Sequence, residues 1–556
     1  MNIKYFIVSN ISKKKLDTFF EPFTECKIVC EALLKMKINR IISVTTTCVL
    51  LFIIDLPAHA LSYKQYIAIQ SLIDEGSRIS GASGISVSIC LENNLFFFSS
   101  GYSNRELSLP ADEYTLYELA SVSKSFTAFG MLLLEEQGLL SMNHSIVEYL
   151  PWCTLQYKGQ PVDMQNITLN HFLHHSTGLV NKKHVNFFPQ GNTPDLLKKT
   201  VEMVQHIELD FLPGAQYQYG TVNYDVLGLV IENVSGQSFG DFMEEHIFSP
   251  LGLTQTYVHR NKAIETGRFA TGYRRSFFMT TPYKSPEYGG NVPAGYIISS
   301  SKDMARWMGI QMKLVDDIPA IFHTIIPRTH KGDKSVASVN GMYYAAGWGV
   351  NAEQTLIAHA GQNPNFKTNV ALFPEEQIAI TVLSNCSSTN VINLLNNIKN
   401  ILNENIHQTY QKDFMQIIDT IATFITLIAG VCAILFGYLI TRRKKLKKKF
   451  LLTKKRVIII AVWTLFTIIM MFLCWVIFPL KIGMNWSTIL IWLPRSIPTA
   501  ILFLSVLCLN ITLYLYRTVS LDNKLFPSLP KQAPTVCVCF GKMIKMCRSA
   551  LPRKTN

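Results

Sequence analysis

The spacing of hydrophobic positions changes from one region of this chain to the next. Between residues 62 and about 400, apolar and polar positions alternate over Gly84 to Leu91, Leu95 to Ser100, Thr368 to Phe373 and Ile378 to Ser384, which predicts half-buried strands. Over Lys124 to Gln137 and Tyr224 to Val234 the apolar positions recur every three or four residues, which predicts amphipathic helices. Strands at both ends with helices between them imply an α+β domain whose sheet is assembled from distant parts of the chain. It is long enough to bury a substantial core.

Elsewhere the hydrophobic positions run together. Residues 414–440, 457–479 and 497–516 are three apolar stretches near the length needed to cross a bilayer. Near the start, Met36-Lys37-Ile38-Asn39-Arg40 leads into the run Ile41 to Leu56 and then Pro57-Ala58-His59-Ala60. That order matches the charged, apolar and Ala-x-Ala parts of a signal peptide over 36–60, with a retained signal anchor as the alternative. Residues 1–35 then form an upstream extension, and 62–405 is the folded domain.

The net charge of +14 would suit a nucleic-acid partner if it were spread over that domain, but it is not. Residues 1–61 hold 8 Lys+Arg against 5 Asp+Glu, residues 62–413 hold 24 against 31, and residues 414–556 hold 20 against 2. A basic excess confined to segments beside apolar runs orients a membrane protein, so nucleic acid is excluded as a partner. The run Arg442 to Lys449 and the tail 517–556 are assigned to the cytoplasm. Three crossings then leave the domain before Phe414 outside, where a signal segment would deliver it. Asp419 is the one charge clearly within a span and lies near its end, so the helices read as an anchor with no transport pathway.

Cys90, Cys153 and Cys386 are the cysteines of the middle region and show no CxxC or Cys/His spacing, which argues against a disulfide framework or structural zinc. Cys537, Cys539 and Cys547 in the tail read as incidental or lipidatable thiols.

The chemistry centres on Ala120-Ser121-Val122-Ser123-Lys124. Ser121 and Lys124 are three apart, so on a helix they share a face. A lysine held dry is neutral enough to take the proton of a serine, and a serine at a helix N-terminus has free N–H groups nearby for an oxyanion. Spacing alone does not select it, because Ser12/Lys15, Ser299/Lys302 and Ser528/Lys531 repeat the pattern.

Its neighbours select it. Leu116 to Lys124, Ile167 to Leu179 with His174-His175-Ser176-Thr177-Gly178, Pro213-Gly214 ahead of Tyr217-Gln218-Tyr219, Leu227 to Glu232 with Ser235-Gly236, Pro250 to Leu253 and His359-Ala360-Gly361 occur in order. That series resembles the serine beta-lactamase-related family of class C beta-lactamases, D-alanyl-D-alanine peptidases and allied esterases, over roughly residues 65 to 400. The resemblance implies an antiparallel sheet flanked by helices with an inserted, mostly helical subdomain, here followed by transmembrane helices. It implies that Ser121 is acylated, that Lys124 assists its deprotonation and that Tyr219 shuttles a proton to the leaving group. His359 and Gly361 would belong to the strand beside the pocket, with the N–H groups of Ser121 and Gln362 as the oxyanion hole. The third position of the Tyr-x-Asn element is Thr221 rather than asparagine, which implies altered specificity. Asn223, two residues on, is not taken as its substitute.

His171, His174 and His175 lack an acidic partner in the sequence and read as structural rather than metal-binding. The expected function is therefore a membrane-anchored hydrolase, needing no cofactor, that acts outside the cytoplasm on a peptidoglycan peptide, a beta-lactam or a small ester. The alternatives are a catalytically impaired binding module signalling through the helices, which Thr221 would favour, and a beta-lactam sensor that stays acylated.

Overall fold

The computed structural model describes residues 61–520 apart from 82, 181–187, 389, 405–412, 447–449, 452 and 518. The signal-like segment 36–60, the extension before it, and the end of the tail with its three cysteines lie outside the described residues. The chain divides into two units, Met1–Tyr66 and Ile67–Asn556, and the second holds the sheet, the candidate site and the apolar helices.

Seven strands form one antiparallel sheet: β1 (Ile85–Leu91), β2 (Asn94–Ser100), β3 (Met342–Tyr344), β4 (Gly349–Asn351), β5 (Ile357–Gln362), β6 (Lys367–Phe373) and β7 (Ile378–Ser384). Their spatial order is β3-β4-β5-β6-β7-β1-β2, so the first two strands of the domain complete a sheet begun by its last five. The helices that cover the sheet, carry the site or follow the domain are α1 (Ser123–Glu136), α2 (Val222–Ser235), α3 (Ser301–Gln311), α4 (Asn390–Leu402), α5 (Phe414–Leu446), α6 (Lys454–Phe472), α7 (Trp486–Trp492) and α8 (Ser496–Arg517).

The alternation in β1 predicts one wet face, and here the structure differs, because β1, β6 and β7 are buried on both. Helix α3 covers the side that carries Ser86, Ser88 and Cys90, and on the other side Ile85 faces Gly76 of the helix Tyr63–Ile79, which also meets Leu394 of α4. The residues on the α3 side are small, and two of them find partners. Ser86 Oγ donates to the Asp112 carbonyl at 2.7 Å, and Cys90 Sγ to the Ala305 carbonyl at 3.3 Å, which offsets the cost of burying them. Between sheet and helices lies an aromatic core in which Phe126 stacks on Trp307 at 4.4 Å and Phe129 meets Phe322 at 5.3 Å.

After the domain, the described residues include three helical segments long and apolar enough to cross a membrane, Phe414–Arg442, Lys454–Ile482 and Ser496–Arg517. Helices α5 and α8 pack closely, with Gly430 opposite the ring of Phe503 and Asn510 Nδ2 donating to the Ala433 carbonyl at 2.9 Å.

A hairpin, Tyr273–Ser276 with Met279–Pro282, carries hydrogen bonds from the domain to these helices. Its two turn residues, Phe277 and Phe278, have φ of +56° and +67°, the conformation of a type I′ turn that Asn-Gly adopts most easily. The carboxylate of Asp419 in α5 accepts both of their N–H groups at 2.9 Å and the Ser496 hydroxyl at 2.6 Å. Arg274 donates to the carbonyls of Leu490 and Ile491, and the Arg495 N–H donates to Ser276 Oγ at 2.9 Å. The charge placed within a span is thus a polar clamp between span and domain.

Candidate active site

Ser121 sits in a single 3-10 turn, Ala120–Val122, that runs directly into α1. The backbone bends at Ala120 with φ of +48°, a left-handed conformation that a residue with a Cβ adopts only where its surroundings impose it. Strand β5 packs directly against it. A Cβ built on Gly361 would lie 2.4 Å from the Leu119 carbonyl oxygen and 2.9 Å from Ala120 Cβ, so glycine is what lets the strand close on the turn. Behind the turn, buried Glu118 is paired with Arg260 and accepts from Asn363 Nδ2 at 2.7 Å.

Lys124, one turn on, is fully buried. Its Nζ lies 3.3 Å from Ser121 Oγ and donates to the Ala294 carbonyl at 2.6 Å, with the rings of Tyr219 and Tyr224 at 5.0 and 5.7 Å. Burial favours the neutral amine and outweighs the opposing pull of the Asp225 carboxylate, bringing the ammonium down to about 7. Ser299 and Lys302 share the same spacing and part company in space. Ser299 Oγ meets Thr256 Oγ1 at 2.9 Å inside the domain, while Lys302 Nζ reaches the Tyr114 hydroxyl at 3.0 Å on the surface. The other two Ser-x-x-Lys pairs lie outside the described residues.

The Tyr219 ring leans on His175 at 4.3 Å. Its hydroxyl is buried without a hydrogen bond of standard geometry, close to the hydroxyls of Ser121 and Thr221. Burial pushes the phenol well up, so it stays protonated and can donate. Asn223 faces away from this point, accepting from Thr177 Oγ1 at 2.8 Å and meeting His175 Nδ1 at 3.0 Å. It is Thr221 that lines the pocket. The histidine run is split among separate tasks: His171 Nδ1 accepts from the Thr168 N–H, His174 Nδ1 donates to the Tyr344 carbonyl, and His175 packs beneath Tyr219. Among the described residues no three His, Cys, Asp or Glu side chains are grouped as a metal site.

On β5, His359 Nδ1 donates to the Ala360 carbonyl at 2.8 Å, which leaves Nε2 to accept the Tyr344 hydroxyl at 3.1 Å. Desolvation and the nearby Lys124 charge hold this imidazole down to about 3, so the strand presents a neutral ring. Gln362 Oε1 accepts from Lys367 Nζ at 2.9 Å.

Ser121, Tyr219, Thr221, His359, Gly361 and Gln362 all line one cavity of about 500 Å³, with Lys124 directly beneath the serine. Three further residues join them that sequence reasoning did not single out. Asn291 lines the cavity and donates from Nδ2 to Asp225 at 2.6 Å, Asp225 faces Lys124, and Tyr344 holds His359. Asp225 carried a signal, an acid on the apolar face of a helix, whereas Asn291 and Tyr344 carried none. Part of the wall is made by Met484, Thr488 and Trp492, from the connector between the second and third apolar helices.

The sequence profile described as Beta-lactamase matches residues 69–401. Protein flp of Staphylococcus aureus (strain MRSA252) is 27% identical over 472 residues, covering 81% of this chain and 91% of that protein. Penicillin-binding protein 4* of Bacillus subtilis (strain 168) is 33% identical over 186 residues, 32% of this chain and 39% of its own. Among solved structures, an octameric penicillin-binding protein homologue from Pyrococcus abyssi superposes with a TM-score of 0.54 at 24% identity, covering 61% of this chain and 77% of that one. A beta-lactamase/D-alanine carboxypeptidase from Pseudomonas syringae gives 0.51 at 20% identity, covering 62% and 99%. At those identities the two structures bear on the fold alone.

Proposed function

The chain belongs to the beta-lactamase family, and from that premise we propose that it is a membrane-anchored serine hydrolase acting outside the cytoplasm through an acyl-Ser121 intermediate. The observation that carries the proposal is the serine and lysine 3.3 Å apart, with the lysine buried and shifted to about 7, at the floor of an open cavity. In this reading neutral Lys124 takes the Ser121 proton as Oγ attacks the substrate carbonyl. Protonated Tyr219 delivers a proton to the leaving nitrogen or oxygen. The N–H groups of Ser121 and Gln362 receive the oxyanion, where losing one donor costs about 100- to 1,000-fold in rate. Water then cleaves the acyl-enzyme, and no cofactor enters.

Thr221 and His359 bear on the substrate. A hydroxyl stands where the family's asparagine would offer an amide, and a neutral ring lines the strand. Both point toward a small ester or a short peptide amide rather than efficient beta-lactam hydrolysis. The same substitution favours a second reading, a binding or sensor module that is acylated slowly or not at all.

The outward orientation rests on charge and on parity. The connector that walls the cavity and the domain before Phe414 share one side of the spans, as three crossings with a basic first loop require. Turnover of a small activated ester and of a chromogenic cephalosporin by the full chain in detergent tests the hydrolase. Ester turnover that Ser121→Ala abolishes supports it, and equal rates in the two proteins contradict it.

A further inference from the structure

The cavity at Ser121 is closed on one side by a segment that has no place in the hydrolase domain. Met484, Thr488 and Trp492 belong to the connector between two apolar helices, yet they face the same space as the serine. Their distance from the bilayer is bounded by the chain. Met484 is two residues beyond the end of the second span at Ile482, and Trp492 is four residues before the third begins at Ser496. At no more than about 3.6 Å per residue, those side chains hang within roughly 7 and 14 Å of the span ends. The polar layer on each side of a bilayer is itself roughly 5–8 Å deep. With the helices crossing a bilayer, this part of the cavity wall lies in or just above the headgroup layer.

A second observation, from another part of the fold, agrees. The hairpin clamped by Asp419 carries Phe277-Phe278 at positions whose backbone suits Asn-Gly, and bulky residues there cost conformational energy. What the sequence retains at that cost is an apolar tip. Phe278 lies against Phe424 of the first span with ring centroids 5.4 Å apart, and Phe278 and Met279 remain 46% and 63% exposed. Trp486 of the connector pairs at 4.8 Å with Trp475 of the second apolar helix, both of the residue type that settles at a membrane–water boundary. Hairpin and connector thus both bond at the ends of the apolar helices, and the connector is also part of the cavity wall.

Building on the hydrolase reading, we propose that the substrate is an amphiphile: an ester or amide whose hydrocarbon part stays in the same leaflet as the chain while its scissile carbonyl reaches Ser121. Met484 and Trp492 contact the portion next to the lipid. The chemistry balances as a hydrolysis. A bond forms from Ser121 Oγ to the carbonyl carbon as the C–O or C–N bond breaks, the serine proton passes to the leaving atom, and water then splits the acyl-serine ester to the acid. No co-reactant beyond water is required.

The test uses the full chain in lipid nanodiscs and two chromogenic substrates that share one nitrophenyl ester, one short and soluble, the other carried on a two-chain lipid in the same disc. Confinement raises the effective concentration of the second, and kcat/KM per total substrate is expected to exceed that of the first by about tenfold or more. That advantage has to depend on the connector and not on confinement alone. In Trp492→Ala, and separately in Met484→Ala, the ratio of the two rates is expected to fall several-fold, with fluorophosphonate labelling of Ser121 reporting the folded fraction of each. Equal rates on the two substrates, or a ratio untouched by both variants, overturns the proposal and leaves the hydrolase standing. No turnover of either ester by labelled-competent protein overturns the hydrolase reading and this one with it.

Discussion

At the scale of the residue, the proposed activity turns on which protonation state Lys124 holds. Its partners are a serine, a carbonyl and two aromatic faces, and burial is what brings it to about 7. A base must be deprotonated to act, so kcat/KM on a small ester is expected to rise with pH through an apparent value near 7 and level off above it. A pH–rate profile checks the sign, and a rate that falls over the same interval contradicts it. Lys124→Arg keeps a charge that cannot be shed, and is expected to lose roughly 100- to 10,000-fold, the range for removing a general base. Thr221→Asn places an amide at the cavity wall. A gain of one neutral hydrogen bond, about 0.5–1.5 kcal/mol, would raise amide hydrolysis relative to ester hydrolysis by up to about tenfold. Competition between matched ester and amide substrates measures that ratio.

At the scale of the element, the hairpin and the first span form one device. Asp419→Ala would strand the N–H groups of Phe277 and Phe278 and the Ser496 hydroxyl, each costing about 1–3 kcal/mol if left unsatisfied. The expected result is faster amide exchange confined to residues 273–282 and 486–496, read by hydrogen-exchange mass spectrometry, with α1 unaffected. The sequence disclosed much of the fold at this scale because its signals are local. Two-residue alternation marks β1 and β7, and an unbroken apolar run marks a candidate span. It did not disclose that β1 is buried on both faces, since serine and cysteine look the same in a wet strand as in one covered by α3. Nor did it disclose what Asp419 does, because its partners are backbone N–H groups more than 140 residues earlier in the chain. The hairpin was missed for a related reason: its turn holds Phe277-Phe278 where turn chemistry leads one to look for Asn-Gly. In the candidate site, Ser121 and Lys124 were legible as a spacing only because the surrounding motifs singled out one pair of four. Asn291 and Tyr344 enter through contacts with no spacing at all.

At the scale of the whole molecule, a sheet joined from both ends of the domain fixes β5 against the Ser121 turn, and three apolar helices bring a connector across the front of the same cavity. The apolar helices and the candidate site are therefore packed together, and the full chain is the proper object for testing the proposal. The most direct measurement is the intact mass of that chain over time after mixing with an activated ester and, separately, a beta-lactam, with peptide mapping of any adduct. An acyl-serine mechanism predicts an added acyl mass on the peptide containing Ser121, cleared as product appears and absent from Ser121→Ala. No adduct from folded protein, or one that forms equally in Ser121→Ala, would contradict it.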